Sequence, residues 1–188
     1  MSKMTSPSEL GPLSTLVGTW EGSGGEDTAP SSTRSTRVSA YRERLVFTPT
    51  GRVDNHEQIL YGLKYSTTAW RIGEPDPYHE ELGYWMWDAQ GGHVMRAFVI
   101  PRGIALLAGG TAAADATGFS LLAEVGSPTW GIASNPFLDR EFRTVRYELN
   151  LRVLGPDSFE YDEDTVLQLK GRAEAFHHTD KHRLTRVK

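Results

Sequence analysis

Beyond Gly18 the chain is written in short runs of aliphatic, aromatic and β-branched residues, each closed by turn residues. Thr19–Ser23, Val38–Thr48, Val53–Tyr61, Lys64–Ile72, His79–Trp87, Val94–Ile100, Gly103–Ala108 and Phe119–Val125 read as strands. Phe142–Val153, Ser158–Leu169 and Ala173–Val187 complete the series. Turn signals such as Pro49-Thr50-Gly51 separate them. Gly24–Ser35 reads as a long loop rich in Gly, Ser and Pro, and Gly126–Arg140 as an irregular segment. The alternation is cleanest in the first of the last three runs, where Tyr147, Leu149, Leu151 and Val153 face one way and Arg146, Glu148, Asn150 and Arg152 the other. Glu57–Gly62 carries no such clean face. Almost no helical periodicity appears; one turn over Pro12–Val17 is expected as a lid or plug. The pattern predicts an all-β fold, a single antiparallel up-and-down barrel of about ten strands, because closure removes the open edges of a meander.

Composition narrows this picture. The 188 residues fit one domain, with residues 1–10 a disordered tail and 11–188 the barrel. Five Trp, seven Tyr and seven Phe suit a pleated, half-buried surface. A net charge of −4 and a pI near 5.9 argue against nucleic acid as a partner. The chain has no cysteine, which excludes disulfides, zinc–thiolate sites, covalent haem attachment and thiol catalysis. The polar Met1–Pro12 is no secretory signal, and no apolar run is long enough to span a membrane, so a cytoplasmic protein is expected. A homodimer is compatible with the sequence, which does not fix the assembly.

Gly18-Thr19-Trp20-Glu21-Gly22 has the Gly-x-Trp form that opens lipocalin-like barrels, where the Trp plugs one end under a basic residue from the last strand. Arg183 or Arg186 is expected in that role, and structural closure is the plainer reading of all five residues. Taken in order with Thr68-Ala69-Trp70-Arg71, His79-Glu80-Glu81-Leu82-Gly83-Tyr84, Gly103 and Gly109, this segment resembles the nitrobindin family. That family is also described as a fatty-acid-binding-protein-like, haem-binding β-barrel domain, and the resemblance covers roughly residues 13–187.

The resemblance implies a ten-stranded barrel holding non-covalent haem b in one mouth, with nitric oxide binding and peroxynitrite isomerisation to nitrate at ferric iron. It also implies an axial histidine near the C-terminal strand and a second histidine across the haem. His79 matches the second position, with a catalytic role, and His177 or His178 the first. Alternation favours His178 as the iron ligand. Phe176, His178, Asp180, His182 and Leu184 share one face, while His177, Lys181 and Arg183 share the other. A β-bulge would exchange His177 and His178. In the regular alternation Asp180 faces inward with His178, where it could orient a neighbouring imidazole. Trp85, Met86, Trp87, Met95 and Phe98 are candidates for the apolar slot that seats the macrocycle.

The alternative of a different class is a non-catalytic carrier of a fatty acid or other small hydrophobic ligand. A third is a barrel filled by its own side chains that acts through Gly126–Arg140. Other groups are weaker. His56-Glu57 and His93 read as surface residues, and Asp162-Glu163-Asp164 as a solvated acidic face without calcium-loop spacing. Glu80 and Glu81 should diverge to opposite faces, which makes them a poor acid/base dyad. Arg143, Arg146 and Tyr147 could hold a carboxylate, but their spacing is common.

Overall fold

The computed structural model describes residues 6–188. Its strands are β1 (Gly18–Pro30), β2 (Thr36–Asp54), β3 (Ile59–Arg71), β4 (His79–Asp88), β5 (His93–Ile100) and β6 (Ile104–Thr111). They continue with β7 (Gly118–Val125), β8 (Gly131–Ser134), β9 (Phe142–Gly155), β10 (Ser158–Leu169) and β11 (Phe176–Arg186). One short helix, α1 (Pro136–Glu141), precedes β9, and a 3₁₀ segment, Pro7–Leu16, precedes β1. The sheet closes in the order β1-β11-β10-β9-β7-β8-β6-β5-β4-β3-β2.

The barrel is antiparallel except at β8, which pairs parallel to β7 and antiparallel to β6. The expected irregular stretch at Gly126–Arg140 therefore contributes a wall strand and α1, whose N-cap Asn135 accepts from the amides of Phe137 and Leu138. Two other expectations change. Most of the expected loop at Gly24–Ser35 is the second half of β1. Pro49–Gly51 is not a turn; it is a register shift inside β2, and the chain reverses at residues 55–58. In both places the Gly, Ser or Pro residues mark bulges, where they relieve the ladder without ending the strand. Of the expected tail, residues 1–5 lie outside the described residues, while Pro7–Leu10 is helical.

One end of the barrel is sealed. Leu10, Leu13 and Leu16 of the 3₁₀ segment are buried among Trp20, Trp87 and the main core. The Trp20 indole donates to the Leu16 carbonyl at 2.7 Å. Gly11, at φ 52°, brings the backbone so close to Trp87 that a Cβ there would lie 2.5 Å from the indole nitrogen. Arg186, not Arg183, covers Trp20, with its guanidinium 4.1 Å from the ring centroid. Arg186 also donates to the carbonyls of Thr15 and Val17 and so ties the last strand to the plug.

Candidate functional site: the polar mouth

The first residues of β4 and β11 lie at the end opposite the plug. β4 buries Glu81, Trp85 and Trp87 at every second position, which puts His79 on the same inward face and Glu80 outside. β11 buries Phe176, His182 and Leu184, which puts His178 and Asp180 inward as well. His177 points out; its side chain is 60% exposed and its Nδ1 lies 2.7 Å from Asp164.

Asp27 joins them from β1 through a bulge. Trp20 faces inward, so unbroken alternation would turn Asp27 outward. Between Gly22 and Gly25, β1 advances three residues against two on β2, and the inward face passes to odd-numbered positions. Glycine is needed there for space. A Cβ on Gly22 would lie 2.5 Å from the His182 ring, and one on Gly25 2.5 Å from that of Tyr41. Asp27 is only 4% exposed and stands directly across from Asp180. His178 Nε2 lies between them, 2.9 Å from Asp27 Oδ1 and 3.4 Å from Asp180 Oδ2. Burial opposes the charged form of His178, but the hydrogen bond it donates to Asp27 and the charge of Asp180 prevail and raise its pKa. Burial raises Asp180 to about 7, with Asp27 adding to the rise and His178 opposing it.

His79 has its own carboxylate. Its Nε2 lies 3.1 Å from Glu81 Oε1. Burial works against the imidazolium, yet Glu81 outweighs it and raises His79 to about 9. Glu81 also accepts from Arg96 at 2.6 Å and from the Tyr65 hydroxyl at 2.9 Å. Burial alone would raise Glu81, but the Arg96 guanidinium holds it well below the usual carboxylate range. The other side of Arg96 donates to Glu163 and to the Tyr147 hydroxyl. Burial and the neighbouring Glu81 raise Glu163 in spite of that contact.

A second layer runs beside this one. Glu43 accepts from Thr67 at 2.7 Å and from the Tyr161 hydroxyl at 2.8 Å, and pairs with His182 Nδ1 at 3.0 Å. Tyr41 meets Tyr161 at 3.1 Å between hydroxyls.

These contacts correct several sequence expectations. Glu163 is not on a solvated acidic face; its alternation places it inside, against Arg96. Met86 does not line the interior, because it alternates with the buried Trp85 and Trp87. Met95 likewise alternates with the buried Val94 and Arg96. Trp85 and Phe98 do point inward, but both pack in the core, under Arg96. The interior partner of Tyr147 is Arg96, and Arg143 and Arg146 form surface ion pairs instead. Sequence reasoning passed over Arg96, Glu43 and Asp27. The run Val94–Arg96–Phe98 carried the signal for the first, since two apolar neighbours of the same parity place Arg96 inside.

A cavity of about 550 Å³ lies away from the two mouth histidines. It follows the outer face of β1–β3, beside Glu21, Arg42, Arg44 and Trp70. The paired histidines and carboxylates converge instead in the mouth.

A closed barrel, plugged at one end and bearing two carboxylate-held histidines at the other, defines a small-ligand-binding barrel. The chain belongs to the family described as the THAP4-like, heme-binding beta-barrel domain, whose model matches residues 9–186. It is 38% identical over 81 residues to a peroxynitrite isomerase of Clavibacter sepedonicus, a match covering 42% of this chain. The match spans 36% of that relative's own length. The crystal structure of Rv2717c from M. tuberculosis superposes with a TM-score of 0.69, over 97% of this chain and 99% of that one, at 22% identity. That likeness is one of fold.

The donor set fits a haem iron. His178 is an inward imidazole on a strand paired on both sides, and Asp27 takes the hydrogen bond of one ring nitrogen. With Nε2 carrying that proton, Nδ1 holds the lone pair a metal requires. The carboxylates around it suit a ferric centre, whose core carries positive charge.

Proposed function

We propose that the mouth holds ferric haem b without covalent attachment, with His178 as axial ligand and His79 on the open side, and that it acts on nitrogen oxides as a peroxynitrite isomerase. The reading is carried by His178, which combines an inward-facing imidazole with a buried carboxylate on its other nitrogen. Family membership supports the cofactor, and the partial match to a peroxynitrite isomerase supports the reaction. When bound, haem supplies an iron at which peroxynitrite rearranges to nitrate. The chain's own groups do the rest. Asp27 and Asp180 orient the His178 ring. His79, kept cationic by Glu81, offers an N–H and a positive charge to an anion in the mouth. Arg96 fixes Glu81 and thereby His79.

In the fatty-acid carrier reading the ligand carboxylate would have to be met by His79, because Arg96 is already engaged. The donors of Arg96 already go to Glu81, Glu163, Tyr65 and Tyr147.

Titration of the purified protein with haemin, followed by absorbance, tests the proposal. A saturable Soret band that is lost in His178→Ala and kept in His177→Ala is the expected result. No band in the wild type, together with an extractable acyl chain, would favour the carrier.

A further inference from the structure

We propose that Asp27 is the positioning residue of the axial imidazole: its carboxylate takes the Nε2 proton of His178, fixes Nδ1 as the iron-binding nitrogen and holds the bound iron in the ferric state. This rests on the haem reading above.

Three observations carry it. The Asp27 carboxylate is buried and lies 2.9 Å from the ring nitrogen, at ordinary hydrogen-bond length. Its position is built, since only the glycine bulge of β1 turns residue 27 inward. Asp180, the other carboxylate near this ring, lies farther away at 3.4 Å and sits on the ligand's own strand. Asp27 approaches from the neighbouring strand and so holds the ring against rotation.

The consequence follows from ligand chemistry. An imidazole whose second N–H is given to a carboxylate becomes more basic and binds iron more strongly. A stronger donor, with anionic charge behind it, favours Fe(III) over Fe(II). A ferric centre also attracts an anionic ligand more strongly than a ferrous one.

The test uses the full chain loaded with haemin. The iron midpoint potential is measured by spectroelectrochemistry, and the iron–histidine stretch of the ferrous form by resonance Raman. Asp27→Asn keeps the size of the side chain and removes its charge. It is expected to raise the potential by at least a tenfold change in the ferric/ferrous ratio, about 59 mV for one electron, and to lower the stretching frequency. Asp27→Glu, which also serves if the Asn form does not fold, should stay between the wild type and Asp27→Asn. Asp180→Asn should shift the potential less and leave the stretch in place.

Equal potentials and stretches in the wild type and Asp27→Asn would overturn the proposal. So would an equal effect of Asp180→Asn, which would mean that charge alone is felt. The two levels of failure separate in the spectra. If the wild type shows no Soret band, the haem reading falls and this inference with it. If the band is normal and Asp27 is silent, only this inference falls.

Discussion

The two ends of the barrel are built on opposite principles. At the plugged end Leu10, Leu13, Leu16, Trp20 and Trp87 are packed almost free of water, and the polar groups there are spent on closing the chain. At the mouth Asp27, Glu43, Glu81, Glu163 and Asp180 surround Arg96, His79, His178 and His182. Apolar packing stabilises by about 25 cal/mol per Å² buried. Burying ion pairs commonly yields no net gain over apolar residues of the same shape. A fold selected for stability alone would extend the first arrangement to both ends. The mouth carries instead a set of charges that hold one another in fixed positions, as the proposed binding and proton placement would require.

The sharpest way to break this contrast is Arg96→Met. It strands Glu81 and Glu163 together in the interior and should cost about 3–5 kcal/mol, read from denaturant unfolding. Replacing Glu81, Arg96 and Glu163 together by apolar residues of similar size should recover most of that loss. Recovery would show that the charges add no net stability over apolar packing. At the other end, Leu13→Ala opens a hole in a fully buried site (0% exposed), and about 3 kcal/mol of destabilisation is expected by the same measurement. No buried charge is left stranded there.

A smaller effect depends on pH. His79 has its folded pKa raised from 6.5 to about 9. The stabilisation from its protonated form is therefore fully present below about pH 6.5 and fades as pH rises through about 9. The side chain is about a third exposed, so solvent screens part of this contribution. In wild-type protein the unfolding midpoint should fall across that window, and in Glu81→Gln that fall should be absent. The smallest effect belongs to His177→Ala. Its ring lies on the outside against Asp164, and the stability change should stay within about 0.5 kcal/mol.

The same contrast explains what could be read from the sequence. Closure was legible because apolar alternation is a local signal: Tyr147, Leu149 and Leu151 are buried as their parity required. Parity also separated His178 from His177, since β11 runs without a bulge against β10. The mouth was harder to read. Asp27 is turned inward by a bulge in a glycine-rich stretch that resembles a loop, and no local pattern distinguishes the two. Glu163 lies in an acidic run of the kind that usually faces solvent, and only its contact with Arg96, 67 residues away in sequence, explains its place inside. β8 joins the wall through a parallel pairing of only two residues with β7, too short to leave a period. Long-range charge pairing and bulges set the mouth, and neither leaves a periodic trace.

The central claim is that the mouth, and His178 within it, holds the iron. The most direct test is a crystal of the haemin-loaded protein measured at the iron absorption edge. An anomalous peak at bonding distance from a His178 ring nitrogen, with Asp27 on the other nitrogen and His79 across the iron, is the expected result. A peak beside His177, or in the outer groove near Arg42 and Trp70, would contradict the account.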